Sequence, residues 1–356
     1  MKTEWTLRTP DDWHIHLRDG AYLERTVPDT ARIFARGIVM PNTVPPILTG
    51  QDAERYRERI EKHIPPGVDY HPLMTLYLTD NTTPEMIREA ADTGVVYGCK
   101  LYPAGATTNS DSGVTNLFGL KDTLEEMQQQ GIPLLIHGEV TDHDVDIFDR
   151  ETRFLERTLR QLTEDFPGLK MVLEHITTKD AVDFVLEGRD NLAATITAHH
   201  LMFQRNDMLA GRIRPHYYCL PILKRERDRR SLIEAATGGS GKFFAGTDSA
   251  PHEKGQKESD CGCAGSYTAL QGLEMYAEVF DAEGKMEQLE PFVSEFGSHF
   301  YGLPLNPGTV QLIREPHEVP SSLPYGEGSV IPLCGGTTLS WKANRLPDSH
   351  HSTHDG

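Results

Sequence analysis

The sequence predicts an α/β fold closed as a (β/α)8 TIM barrel, and three observations carry that prediction. Eight short apolar, β-rich stretches recur along the 356 residues, separated by amphipathic or polar stretches. Histidine, lysine or aspartate lies within or at the end of the first, fourth, fifth, sixth and eighth stretches. An open sheet would scatter those groups over many strand spacings of about 4.8 Å, whereas a closed barrel gathers them at one mouth. A doubly wound sheet is the alternative for the same alternation, and it would collect ligands mainly at its switch point.

The first stretch, residues 13–17, lies within Asp11-Asp12-Trp13-His14-Ile15-His16-Leu17-Arg18-Asp19. Strand alternation puts Trp13, Ile15 and Leu17 on an apolar face and His14, His16 and Arg18 on the other. The second, residues 37–40, runs into Pro41-Asn42-Thr43, and the third spans 71–78. The fourth, 95–102, contains Lys100; the fifth, 133–137, ends at His137; the sixth, 171–175, ends at His175. The seventh spans 192–197 and the eighth, 242–248, ends at Asp248. Helices are expected between them: over 84–91, where Pro84 suits a helix start, and over 121–130, 154–165 and 178–187. Gly131 and Gly188 stand where C-caps would. Beyond about residue 305 the chain is Pro- and Gly-rich, which predicts extended wrapping outside the barrel. One domain is therefore expected over 1–342, followed by a polar, disordered tail over 343–356. The tail's His350, His351 and His354 are given no functional role.

Composition narrows the function. The formal charge is −18 without a long basic run, which argues against nucleic acid as a partner. An anionic substrate must then be drawn by a local site. No apolar run approaches a membrane span, and the N-terminus lacks the apolar core of a signal peptide. Five scattered cysteines, Cys99, Cys219, Cys261, Cys263 and Cys334, predict reduced thiols and a cytoplasmic location. Cys261-Gly262-Cys263 has no second pair to complete a zinc ribbon, so packing near a pocket is the preferred reading.

Closing the barrel brings His14, His16, Lys100, His137, His175 and Asp248 together. Four imidazoles and a carboxylate suffice for two divalent ions at the C-terminal mouth. On their own, His14 and His16 read more readily as two polar residues on a half-buried strand than as a metal site. An ammonium beside two metals is strongly disfavoured, but a deprotonated lysine can add carbon dioxide and become an anionic two-oxygen ligand. An interior Lys100 paired with Asp248 is the other reading, and spacing does not separate them. Arg18 carries a planar fork suited to a carboxylate, or serves as a surface ion pair. The small, Gly-bounded stretch 105–113 follows the Lys100 strand and reads as a lid or an ordinary βα loop. His199 and His200, after strand seven, are assigned a structural or rim role. His63, His71 and His143 have no partner pattern.

The chain resembles the amidohydrolase superfamily and, within it, the short bacterial (class II) dihydroorotases. The resemblance rests on residues 10–20, Met40-Pro41-Asn42-Thr43, Lys100-Leu101-Tyr102-Pro103-Ala104 and Thr107-Thr108-Asn109. Further matches are His137-Gly138-Glu139, Leu173-Glu174-His175-Ile176-Thr177-Thr178, residues 218–224 and residues 246–252. It implies two zinc ions per subunit. One is held by His14, His16 and Asp248, the other by His137 and His175, with carboxylated Lys100 (N6-carboxylysine) and a hydroxide between them. It implies Asp248 as catalytic base and acid, and Arg18, Asn42 and His252 on the substrate carboxylate. Backbone groups of Leu220 and Ala264 would contact the ring, while Thr107 and Thr108 would close a lid. The implied reaction is reversible closure of N-carbamoyl-L-aspartate to L-dihydroorotate in pyrimidine biosynthesis, by a homodimer. Hydantoin, dihydropyrimidine or allantoin hydrolysis is the rival within the class, but a ring without a carboxylate leaves Arg18 unpaired. A non-catalytic scaffold would be expected to lose ligands, and phosphoester hydrolysis leaves the carboxylate set unexplained.

Overall fold

The computed structural model describes residues 2–346. Strand β1 (Glu4–Arg8) leads into eight strands: β2 (Asp11–Ile15), β3 (Arg36–Val39), β4 (His71–Tyr77), β5 (Val96–Leu101), β6 (Leu134–His137), β7 (Met171–Glu174), β8 (Leu192–Ile196) and β9 (Phe243–Ala245). Strands β2 to β9 form one sheet, each beside the next in chain order, and every pair is parallel. The ring closes where His16 N donates to Ser249 O at 3.0 Å and Asp248 N donates to His14 O at 2.9 Å. Buried Asp12 reinforces the seam, accepting from Thr247 N at 2.8 Å and Thr247 Oγ1 at 2.6 Å. The predicted (β/α)8 barrel is present.

The helices between strands start and stop where local chemistry allows. Helix Gly50–Glu61 opens on a capping box between Thr49 and Asp52, and helix Pro84–Asp92 on Thr83 with Pro84 in the first turn. Helix Lys121–Gln130 ends at Gly131, whose φ of 69° is the left-handed region. Gly188 also ends a helix, Lys179–Glu187, but in extended backbone. The helix expected over 154–165 starts earlier, at Arg150, and continues through a π-turn at Leu155–Leu159 to Asp165.

The first barrel strand departs from simple alternation. Its pairing with β3 shifts register between Asp12 and Ile15. Trp13 therefore joins the apolar plug inside the barrel, with Ile38, Leu73, Leu135, Val172 and Phe244, while Ile15 and Leu17 pack into the outer core. A bulge of this kind re-aims side chains next to active sites. Strand β2 stops at Ile15, and Arg18 has a φ of 61°, so Arg18 does not share a strand face with the histidines. Trp13 stacks on Tyr301 at 4.6 Å between ring centroids. Gly297 is required beneath it, because a Cβ there would lie 2.0 Å from Trp13 Nε1.

The segment after residue 305 is sheet as well as wrapping. It contributes β10 (Thr309–Glu318), β11 (Leu323–Tyr325), β12 (Gly328–Val330) and β13 (Thr338–Arg345), and β1, β10 and β13 make an antiparallel sheet. Strand β13 runs three residues past the expected boundary at 342, with Trp341 and Ala343 buried. The histidines His350, His351 and His354 lie outside the described residues. Among the described residues no helix is long and apolar enough to cross a membrane.

Candidate active site

The strand ends at the C-terminal mouth surround a narrow cavity. His14, His16, Arg18, Asn42, Tyr102, Thr107, Thr108, His137, His175, Leu220, Asp248, Ala250, Ala264 and Gly265 line it. Lys100 lies beneath, fully buried on β5. A roomier hollow opens at the other end of the barrel among Arg160, Phe184 and Arg189, and holds none of these groups.

Three potential donors form a triangle. Asp248 Oδ1 lies 3.2 Å from His14 Nε2 and 3.1 Å from His16 Nε2, and the two imidazole nitrogens are 3.3 Å apart. Ligands about 2.0 Å from a tetrahedral ion are separated by about 3.3 Å, so this triangle fits a divalent cation such as zinc. Gly246 lets the His14 side chain leave its strand here: a Cβ there would lie 3.0 Å from His14 Cβ and 2.9 Å from Thr195 Cβ. Asp248 and His175 sit just past their strands with φ of 45° and 42°. Such strained backbone clusters at functional sites. His175 stands between the rings of His14 and His137, at centroid distances of 5.0 and 4.8 Å.

The protonation states suit metal binding. Burial lowers the His14 and His175 pKa values, and brings that of His16 down to about 4, leaving neutral imidazoles. Burial works to raise the Asp248 pKa, but the close contact with His14, and the hydrogen bonds of His14 and His16, hold it well below the usual carboxylate range. Burial pushes Lys100 well below the usual lysine pKa, favouring the free amine. Lys100 Nζ does not pair with Asp248; it contacts Glu174. Sequence reasoning missed two carboxylates, Glu174 and Glu139. Glu139 Oε2 lies 2.7 Å from His137 Nε2, which leaves His137 Nδ1 for a metal.

Arg18 enters the cavity from a left-handed turn. Its Nε donates to Pro251 O at 3.1 Å, and its Nη2 lies 3.2 Å from His252 Nε2. The same His252 nitrogen lies 3.0 Å from Ala264 O. A nitrogen that donates to Ala264 O cannot accept from Arg18, so Arg18 keeps that donor for a ligand. Burial and the Arg18 and Lys257 charges bring the His252 pKa down to about 2, so the ring is neutral. Asn42 Oδ1 lies 2.8 Å from His16 Nδ1, which ties the expected carboxylate binder to a candidate metal ligand as well.

The loop over 105–113 lies closed on this cavity. Asn42 Nδ2 donates to Thr108 O at 3.1 Å, Asn109 Nδ2 to Asn42 O at 3.1 Å, and Thr108 Oγ1 to Ala264 O at 3.3 Å. Removing the last bond in Thr108→Ala is expected to lower turnover about tenfold with metal content unchanged. Parallel assays of turnover and bound metal check this, and loss of metal would contradict it.

Lys257 braces the opposite wall. Its Nζ donates to Tyr218 O and Cys263 O, each at 2.7 Å, joining the loops that carry Leu220 and Ala264. Burial lowers its pKa from 10.5 to about 8. Between those values the unfolded chain binds more protons than the folded one, so stability rises with pH, by about 3 kcal/mol at most. Lys257→Met is expected to remove this rise. Urea unfolding of both proteins from pH 8 to 10.5 tests it; parallel stability curves would count against the brace.

His199 and His200 are buried, so neither stands on the rim. His200 is bonded on both ring nitrogens, to Thr197 Oγ1 at 2.7 Å and Pro221 O at 2.9 Å, which is a structural role. Neither ring nitrogen of His199 has a hydrogen-bond partner among the described residues. All five cysteines are free. Cys263 is half-buried beside Ala264, and Cys261 is exposed with its Sγ 3.0 Å from that of Cys263.

The family model described as "Amidohydrolase family" matches residues 12–315. The dihydroorotase of Teredinibacter turnerae is 59% identical over 345 residues, which span 97% of this chain and 100% of that protein. Among solved structures, the dihydroorotase of Saccharomyces cerevisiae, in complex with 5-fluoroorotic acid, aligns with a TM-score of 0.90. It is 33% identical, over 97% of this chain and 100% of that one. The dihydroorotase of Campylobacter jejuni aligns with a TM-score of 0.88 and 36% identity, over 96% of this chain and 98% of its own.

Proposed function

The chain belongs to the amidohydrolase family and, within it, to the dihydroorotases, and on that premise we propose how its residues close N-carbamoyl-L-aspartate to L-dihydroorotate and reopen the ring. The observation that carries the reading is a guanidinium, that of Arg18, facing the donor triangle of His14, His16 and Asp248 across one cavity. A ring amide bearing a carboxylate needs both ends of that cavity.

His14, His16 and Asp248 would hold one divalent ion, and His137 and His175 a second, with Lys100 as a carbamate between them. Two zinc ions so held would polarise the scissile carbonyl and lower the pKa of water near them. Asp248 is ionised and buried beside the reacting centre. In ring opening it takes the proton of the attacking water on its carboxylate and gives it to the departing ring nitrogen; in closure the order reverses. Arg18 and Asn42 bind and orient the substrate carboxylate, neutral His252 joins them by turning its one N–H from Ala264 O to the ligand, and the Leu220 and Ala264 backbone groups border the ring. Thr107 and Thr108 cover the cavity and exclude water. Free cysteines support a reducing, cytoplasmic setting. A homodimer remains the family-based expectation for assembly.

Arg18→Met tests the substrate assignment. Removing a desolvated charge partner costs several kcal/mol, so kcat/KM for L-dihydroorotate is expected to fall by about 10^2 to 10^3. Hydrolysis of an uncharged cyclic amide such as dihydrouracil should not fall with it. Equal losses on both rings would remove Arg18 from the carboxylate site.

A further inference from the structure

We infer that Glu174 is a positioning residue beneath the metal centre, one carboxylate that fixes the His14 ring and the Lys100 amine together. The inference rests on the metal-centre reading above and adds to it a residue that touches neither substrate nor reacting atoms. Glu174 is the last residue of β7, in register with His137 on β6, and is 1% exposed. Its two oxygens go to different ligands. Oε1 lies 3.1 Å from His14 Nδ1, and Oε2 contacts Lys100 Nζ. Neither contact is an aligned hydrogen bond, so both oxygens, His14 Nδ1 and Lys100 Nζ are buried polar atoms without a bonded partner. A buried carboxylate left so is costly, and among the described residues no group bonds it, His175 being the other potential donor close by.

The arrangement has a use once the ligands are loaded. A histidine presents one ring nitrogen to a metal, and the bond made by the other decides which. With Nδ1–H of His14 turned to Glu174, the lone pair of Nε2 faces His16 and Asp248. Glu139 holds His137 in the corresponding way through Nε2. On Lys100, carbamate formation joins the amine nitrogen to carbon dioxide and releases one proton: R–NH2 + CO2 → R–NH–COO⁻ + H⁺. One N–H survives the step, so Glu174 Oε2 can accept from the free amine and from the carbamate. Glu174 thus couples the lysine to the first metal set through a single side chain.

The test compares wild type with Glu174→Gln, whose amide offers one acceptor where two donors converge. Zinc affinity is read by competition with a chromophoric chelator. The bicarbonate needed to reconstitute the stripped protein is titrated in parallel, and thermal unfolding of the metal-free proteins is recorded. The expected result is zinc affinity weakened 10- to 100-fold and a higher bicarbonate requirement, a pair of changes that a purely structural residue would not produce. Zinc affinity and bicarbonate requirement within twofold of wild type would overturn the inference, as would lowered thermal stability alone. Should the Gln variant not accumulate as folded protein, Glu174→Asp carries the test, because it keeps the charge but draws the oxygens back by one methylene. Unchanged zinc affinity there is equally fatal. Wild type that binds no zinc at all would instead sink the metal-centre reading.

Discussion

Asp248→Asn is expected to lower turnover in both directions by about 10^3- to 10^4-fold. The carboxylate is buried, yet two imidazole contacts keep it ionised, so it is available to accept a proton at neutral pH. An amide in its place can neither take the water proton nor deliver one to the ring nitrogen, and general acid–base catalysis alone supplies about 10^2 to 10^4. The same change exchanges an anionic donor for a neutral one in the His14, His16 and Asp248 triangle, so zinc affinity should weaken as well. Steady-state rates on enzyme saturated with zinc separate the two effects. Turnover above a tenth of wild type under saturation would show that the proton travels elsewhere.

Lys100→Ala is expected to abolish measurable turnover, a loss of about 10^4-fold or more, and to lower bound zinc below two equivalents. Lys100 is wholly buried, its amine is driven to the neutral form, and as a carbamate it is the residue proposed to join the two metal sets. No other described residue supplies an anion at that position, since Glu174 faces Lys100 and His14 from beneath. A small carboxylate such as acetate, which offers two oxygens in the vacated space, should restore part of the zinc and part of the rate. Full zinc content with near-normal turnover would reduce Lys100 to an interior lysine with a structural partner.

Much of this was legible because the chemistry sits where strands end. Lys100, His137, His175 and Asp248 each fall within or just after an apolar stretch, and parallel β/α alternation brings such ends to one mouth. Arg18, Asn42 and His252 could be proposed from residue type and the family motifs, and the cavity contains Arg18 and Asn42, with His252 at its wall. The register shift between Asp12 and Ile15 was not legible, because it depends on pairing with a strand more than twenty residues away. It moved Trp13 from the expected face and ended the strand before His16. Nor was the left-handed turn at Arg18, since only the seam with Pro251 and Ser249 requires it. Glu174 lay inside a quoted motif but had no separate signal. A charged residue one position before a ligand reads as ordinary until the barrel shows it pointing inward. The sheet of β1, β10 and β13 joins segments some 300 residues apart, and Pro–Gly richness concealed it.

The most direct measurement is the rate of L-dihydroorotate ring opening by the purified protein, first loaded with zinc, then stripped by a chelator, then reloaded. The account predicts activity that vanishes on stripping and returns with zinc, together with formation of N-carbamoyl-L-aspartate. A zinc-loaded protein that leaves dihydroorotate intact while opening an uncharged cyclic amide would contradict it.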